Sequence, residues 1–133
     1  MVSPFLYRSA ALSPTRVTVL IVDDELAAAT ALARVIARAG GRAFVADNFA
    51  AGRLALETAY PDVLLVDVRL GDRNGLQLMA MAPPHIAKLA MTGHDDPVIE
   101  QDARQFGAAY LIKPVLPETL HAVIERQLRA LAQ

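Results

Sequence analysis

Apolar residues of this chain concentrate in short runs that are separated by longer amphipathic stretches. Four runs are clear and one is weaker; they span residues 17–22, 63–66, 86–91 and 108–112, with the weaker one at 42–46. Each run is continuously apolar and does not alternate with polar residues. This pattern is typical of parallel strands that are covered on both faces. We therefore predict five buried strands.

The stretches between these runs have helical periodicity. The first carries an apolar stripe and stops at two glycines; the stripe is Leu26, Ala29, Ala33 and Ile36. The fourth begins with Asp96 as the predicted N-cap and Pro97 at the first helical position. The last begins at Pro117 and has a second stripe, formed by Leu120, Val123, Ile124, Leu128 and Leu131.

The third helical stretch, which starts after Gly75, is unusually short. Pro83 and Pro84 interrupt it, so we predict about two turns of helix there. The whole order is then strand–helix, repeated five times. With right-handed crossovers this order predicts an α/β fold, in which a parallel sheet lies between two layers of helices.

The chain length and the N-terminal sequence bound the domain organisation. A chain of 133 residues suits one domain. Residues 1–15 are broken by Pro4, Arg8 and Pro14, and we predict that they form an N-terminal extension. The domain is expected to span residues 16–133.

Composition excludes several classes of function. The net charge is −1, from 13 basic and 14 acidic residues, which argues against a nucleic-acid surface. There is no cysteine, so disulfides, thiolate catalysis and Cys-based metal sites are excluded. No apolar run approaches the roughly 18 residues of a membrane span, and the N-terminus lacks a continuous signal-peptide core. We expect a cytoplasmic protein without membrane contact.

Polar residues that can act as ligands or catalytic groups follow four of the five runs. Asp23 and Asp24 follow the first, Asp67 follows the third, Thr92 the fourth and Lys113 the fifth. In open α/β sheets, ligand sites form beyond the carboxyl ends of the strands, so these side chains are predicted to meet. Singly, each has an ordinary explanation as a cap, a turn residue or a solvated lysine. Three clustered carboxylates, however, repel one another unless a cation is present, and Mg²⁺ prefers such oxygen ligands.

Four motifs carry a family resemblance: "VDDE" (22–25), "VDVRLGDRNG" (66–75), "MTGH" (91–94) and "YLIKP" (110–114). In this order and spacing they resemble a response-regulator receiver domain, the CheY-like family of two-component signalling, over about residues 16–132. The resemblance implies a flavodoxin-like, doubly wound, five-stranded parallel sheet. The implied strand order is 2-1-3-4-5, with five helices.

The resemblance also implies a phosphoacceptor and a metal site. Asp67 would accept a phosphoryl group from a sensor histidine kinase or a histidine phosphotransfer protein. Mg²⁺ would be the cofactor, held by Asp23, Asp24 and Asp67 together with the backbone carbonyl of Arg69. The protein would be no enzyme beyond catalysing its own phosphorylation and dephosphorylation.

The resemblance further implies a conformational switch that responds to phosphorylation. Thr92 would donate its hydroxyl to a phosphoryl oxygen, and Lys113 would pair with the same group. Lys113 and Pro114 would be joined by a cis peptide bond, and Tyr110 would be the rotating aromatic switch. Output is expected through the face of the fourth helix, fifth strand and fifth helix, where a homodimer could form.

The sequence departs from the family pattern beside the phosphoacceptor. Leu70 and Gly71 stand where Met and Pro are usual, whereas Gly75 keeps the expected turn glycine. Arg69 and His94 occupy the two positions that flank the phosphoryl group in the family. Arg69 is hypothesised to shield that group, whereas His94 is equally well explained as a solvated loop residue.

Two enzymatic or cofactor-binding functions known on similar folds would need residues that this sequence lacks. A haloacid-dehalogenase-type phosphatase would need a second acid at position 69, where Arg stands. A flavin protein of similar fold would need a phosphate-binding loop where "DDELAAAT" places acids. Because the chain ends with its fifth predicted helix, we expect a stand-alone receiver without a DNA-binding output domain. The alternatives are a fragment of a larger regulator, or a scaffold receiver that is not phosphorylated.

Overall fold

The computed structural model describes residues 16–132 as an α/β fold. The extension predicted for residues 1–15 lies outside this described part. Residues 16–132 contain seven strands: β1 Thr18–Val22, β2 Arg42–Ala46, β3 Val63–Asp67, β4 Arg69–Leu70, β5 Arg73–Asn74, β6 Ala87–Thr92 and β7 Ala109–Ile112. The same residues form five helices: α1 Leu26–Arg38, α2 Phe49–Thr58, α3 Leu76–Met81, α4 Pro97–Gln105 and α5 Pro117–Leu131.

Five of the strands form one parallel sheet in the order β2-β1-β3-β6-β7. β4 and β5 form a separate antiparallel hairpin. Counted without that hairpin, the order is 2-1-3-4-5, which confirms the predicted topology. Strand β1 pairs with β2 on one side and with β3 on the other; Ile21, for example, lies opposite both Val45 and Leu65.

Two hydrophobic clusters cover the two faces of the sheet. One joins α1 and α5 to the sheet through Ile36, Leu120 and Ile124. The other joins α2, α3 and α4 to the opposite face, with Leu78 and Met79 among its members. Fully burying one such side chain stabilises the fold by about 1.5–3 kcal/mol, so the sheet that carries the strand ends is held firmly.

The apolar stripes of α1 and α5 are buried in their middle parts and exposed at one end. Leu26 is 57% exposed and Leu131 is 44% exposed, although Ile36 and Leu120 on the same stripes are fully buried. Leu26 is the first residue of α1 and Leu131 the last of α5, so each lies in a terminal turn of its helix. Glu25 occupies the N-cap position of α1, in extended conformation.

The segment after β3 contains an element that the sequence did not predict. β4 and β5 pair through Leu70 and Arg73, with Gly71 and Asp72 at the turn. Gly71 has φ +60°, a left-handed conformation that glycine adopts readily and that two-residue hairpin turns require. The following helix α3 has six residues, in agreement with the predicted short helix.

Candidate functional site

The predicted site residues lie along one edge of the sheet. Asp67 and Thr92 are the last residues of β3 and β6, while Asp23 and Lys113 directly follow β1 and β7. These four strands are consecutive neighbours in the sheet, and all of them point the same way. Parallel topology therefore delivers these four side chains to the same edge.

Three carboxylates converge at this edge. Asp23, Asp24 and Asp67 each offer an oxygen within 4.8 Å of the other two. Asp23 is completely buried and Asp67 is 7% exposed, whereas Asp24 faces solvent. Like charges this close repel, and water screens them poorly where they are buried. An all-oxygen donor set of this kind fits a hard divalent cation such as Mg²⁺.

Lys113 neutralises part of this negative charge. Its Nζ donates to Asp23 Oδ2 at 2.8 Å and to Asp67 Oδ2 at 2.7 Å. Burial alone would lower the pKa of Lys113, but the hydrogen bonds and charges of Asp23 and Asp67 outweigh it and raise the pKa. Lys113 therefore stays charged at neutral pH. The Lys113–Pro114 peptide bond is cis.

Asp67 is held by hydrogen bonds at both of its oxygens. Oδ2 contacts Lys113, and Oδ1 accepts the backbone N–H of Arg69 at 3.0 Å. Burial raises the pKa of Asp67, and the negative charge of Asp23 adds to that effect. The bonds from Lys113 and Arg69 oppose it without cancelling it. A more basic carboxylate in a fixed orientation is suited to act as a nucleophile.

The backbone around Asp67 depends on Gly75. The N–H of Gly75 donates to the carbonyl of Val68 at 2.6 Å. A Cβ atom at position 75 would overlap the carbonyl oxygen of Asp67. The glycine expected at this turn is thus required by a close approach of two backbone segments. The metal role predicted for the Arg69 carbonyl stays a prediction.

Thr92 and Tyr110 are connected through one loop. Thr92 is buried, and its Oγ1 both donates to the His94 carbonyl at 3.1 Å and accepts the His94 N–H at 3.2 Å. The Tyr110 hydroxyl accepts the Asp96 N–H at 2.9 Å and lies 3.3 Å from Asp95 Oδ1. Asp96 caps α4 through its own side chain, as the sequence predicts. The loop 92–96 therefore ties Thr92 to Tyr110 and to the start of α4.

Two contacts at this edge were missed by sequence reasoning. Gly71 N–H donates to Asp24 Oδ2 at 3.0 Å, across 47 positions of sequence. The guanidinium of Arg73 lies 3.9 Å from the ring centre of Phe49, a cation–π contact. Both contacts belong to the β4–β5 hairpin. The glycine at position 71, in a segment where the family has proline, was the signal that could have pointed to them.

Comparison with known proteins connects this geometry to a family. The family model "response regulator receiver domain" matches residues 19–125. The positive alginate biosynthesis regulatory protein of Pseudomonas aeruginosa is 36% identical over 84% of this chain and 47% of its own length. The DNA-binding transcriptional regulator NtrC of Proteus hauseri is 40% identical over 81% of this chain and 24% of its own. The chain thus spans about half the length of the first relative and about a quarter of the length of the second.

Solved structures agree with the sequence comparison. A CheY-like receiver domain protein from Methanospirillum hungatei superposes with TM-score 0.83 at 26% identity, covering 89% of this chain and 98% of that one. A response regulator protein from Burkholderia pseudomallei, solved with a phosphorylated aspartic acid and a calcium ion, gives TM-score 0.77 at 27% identity, covering 86% and 71%.

Receiver domains are signalling modules of two-component systems and not enzymes in the usual sense. No helix among residues 16–132 is long and apolar enough to cross a membrane. The family match covers most of the chain, and the sheet has the order found in CheY-like proteins. The chain belongs to the response-regulator receiver domain family.

Proposed function

We propose that Asp67 accepts a phosphoryl group from a phosphohistidine and that this modification switches the protein's contacts with partners. The observation that carries the proposal is the position of Asp67. It is a buried carboxylate with a raised pKa, beside two further carboxylates and one ammonium. The related Burkholderia protein carries a phosphorylated aspartic acid, which supports the same chemistry here.

The proposed cofactor is Mg²⁺, held by Asp23, Asp24 and Asp67 together with the carbonyl of Arg69. When bound, a divalent ion supplies positive charge that the transferring phosphoryl group needs. Asp67 would attack phosphorus, forming an O–P bond as the P–N bond to the donor imidazole breaks. Lys113 is already at hydrogen-bond distance from Asp67 and would neutralise charge on the phosphoryl oxygens.

The switch would begin at Thr92. To donate to a phosphoryl oxygen, its hydroxyl must give up the bond to the His94 carbonyl. That exchange would rearrange loop 92–96, which holds the Tyr110 hydroxyl through the N–H of Asp96. A local change of charge would thereby reach α4 and β7.

The output surface is proposed to be the face made by α4, β7 and α5. Large apolar side chains are exposed on or beside these elements; among them are Val98, Phe106, which directly follows α4, and Ile112. Phosphorylation is proposed to promote homodimerisation or partner docking there. No direct nucleic-acid contact is proposed, because the chain has a net charge of −1.

Transfer from a histidine donor tests the proposed reaction. A radiolabelled, phosphorylated histidine kinase or phosphotransfer protein is mixed with this protein and Mg²⁺, and label on the receiver is followed by gel. We expect label on the wild type and none on Asp67→Ala. A scaffold receiver that is not phosphorylated would take up no label from any donor, and in that case the proposal is wrong.

The stand-alone mode of action stays a prediction. The relatives are two to four times as long as the segment they share with this chain, and one of them is a DNA-binding regulator. The mass of the protein isolated from its own cells distinguishes the two arrangements. A mass equal to that of 133 residues agrees with a stand-alone receiver, and a larger mass with a longer regulator.

A further inference from the structure

The carboxylate of Asp24 is held differently from its two neighbours. Asp23 and Asp67 are buried and share the ammonium of Lys113. Asp24 is exposed, and within residues 16–132 it makes no ion pair with Lys113. Its Oδ2 instead accepts the N–H of Gly71 at 3.0 Å. The third acid of the cluster is therefore positioned from the β4–β5 hairpin.

The hydrogen bond from Gly71 opposes the electrostatic repulsion that acts on Asp24. Three carboxylate oxygens lie within 4.8 Å of one another, so Asp24 is repelled by two like charges. As an exposed side chain it could relieve the repulsion by turning into solvent. A hydrogen bond from an N–H to an ionised acceptor is among the stronger ones, and it opposes that rotation.

The donor itself is fixed in place by the rest of the hairpin. Leu70 is buried next to it, and Arg73 rests on the Phe49 ring at 3.9 Å. Gly71 has φ +60° at the turn, which aims its N–H. A proline at this position, which the family usually has, would provide no N–H and could not adopt that φ. The contact is thus a property of this chain's departure from the family pattern.

We propose that the backbone N–H of Gly71 is a positioning group for the metal site, so that cation binding and hairpin order are coupled. This inference rests on the proposed function, because it assumes that Asp24 serves the metal. Groups that orient metal ligands typically change affinity by about 10–100-fold when they are removed. Coupling is reciprocal, so a bound cation must also stabilise the hairpin.

The coupling would extend to the space beside the phosphoacceptor. A cavity of about 470 Å³ lies between the hairpin and the loop 92–96. Arg69, Gly71 and Arg73 form one wall, and Thr92 and His94 belong to the other. A cation that orders the hairpin would also fix this wall, next to the position where the phosphodonor must approach.

The test measures Mg²⁺ binding by calorimetry and amide exchange by NMR on the full chain. Gly71→Pro removes the donor. Gly71→Asn is the matched control, because asparagine tolerates a positive φ and keeps the N–H. We expect at least about tenfold weaker Mg²⁺ binding for Gly71→Pro, and binding within about twofold of wild type for Gly71→Asn. In the wild type, Mg²⁺ should slow exchange of the Gly71 amide, and Asp24→Ala should speed it without Mg²⁺.

Three results would each overturn the inference. They are wild-type affinity in Gly71→Pro, equal weakening in both Gly71 variants, and a Gly71 amide that responds neither to Mg²⁺ nor to Asp24→Ala. The amide measurements need no proline variant, so they decide the question even if Gly71→Pro fails to fold. The proposed function fails separately, if the wild type takes up no phosphoryl group at saturating Mg²⁺.

Discussion

At the scale of single residues, the site is an arrangement of charges that is unfavourable for the fold and useful for phosphoryl transfer. Asp23 and Asp67 lie in a place that water reaches poorly, and Lys113 joins them at 2.8 and 2.7 Å. Burial raises the pKa of Asp67 even with this partner. The metal-free protein thus carries an electrostatic cost that a divalent cation would relieve.

Replacing Lys113 by methionine should destabilise the metal-free protein. Two buried carboxylates would lose their counter-charge. We expect the free energy of unfolding to fall by about 1–3 kcal/mol, which is less than for a fully buried ion pair because the Lys113 side chain is partly exposed. Urea unfolding with and without Mg²⁺ measures this, and Mg²⁺ should recover part of the loss. Lys88→Met is the control, because the Lys88 ammonium donates to the carbonyls of Pro83 and Ile86. Equal Mg²⁺ effects on the two variants would contradict the account.

Replacing Asp67 by asparagine should stabilise the metal-free protein at neutral pH. Because the folded-state pKa of Asp67 is raised above its ordinary value of 3.8, the folded protein binds more protons than the unfolded chain between these two pKa values. Wild-type stability contributed by this group is present at low pH and is lost as pH rises through the folded pKa. In denaturant titrations the variant should be more stable than the wild type at pH 7 and should gain nothing at pH 3. A gain that does not vary with pH would argue against the raised pKa.

At the scale of elements, the sequence predicted those helices and strands that have a local signal, such as an apolar run or a helix cap. It did not predict elements that lack such a signal. β1 and β3 are runs of five buried residues, and Asp96 with Pro97 marks the start of α4. β4 and β5 have two residues each, too few for any periodicity. Their pairing depends on Gly71 and on the distant acid Asp24, and a contact across 47 positions leaves no trace in a local pattern.

Replacing Gly75 by alanine should destabilise the turn after β3. The new Cβ would overlap the carbonyl oxygen of Asp67, and the backbone must move to admit it. We expect a loss of about 1–3 kcal/mol in the free energy of unfolding, measured by denaturant titration. Gly93→Ala is the matched control, since its Cβ would meet nothing within 4 Å. Similar losses for the two variants would show that the close approach is unimportant.

At the scale of the whole molecule, topology explains why so much of the site was predictable. The acids and the lysine are far apart in sequence, yet parallel strands deliver Asp23, Asp67 and Lys113 to one edge. Distances and burial could not be predicted, because they follow from packing. The exposed ends of the stripes, Leu26 and Leu131, show the same limit: periodicity identifies a face, and only tertiary structure decides how far that face is covered.

Phosphorylation is predicted to change association through the α4–β7–α5 face. Beryllofluoride, which mimics a phosphoryl group on a carboxylate, should increase the dimer fraction in size-exclusion chromatography with Mg²⁺. Ile112→Glu should abolish the increase, since Ile112 is 41% exposed on β7. Leu54→Glu, on the exposed face of α2, should leave it unchanged. An increase that persists in Ile112→Glu would place the interface elsewhere.

The central claim is that Asp67 is the phosphoacceptor, and the mass of the intact protein tests it most directly. The protein is incubated with acetyl phosphate and Mg²⁺, and a matched control variant, Asp72→Asn, changes an exposed acid of the neighbouring hairpin turn. We predict one added phosphoryl group on the wild type and on Asp72→Asn, and none on Asp67→Asn. An adduct on Asp67→Asn equal to that of the wild type, or no adduct on the wild type, would contradict the account.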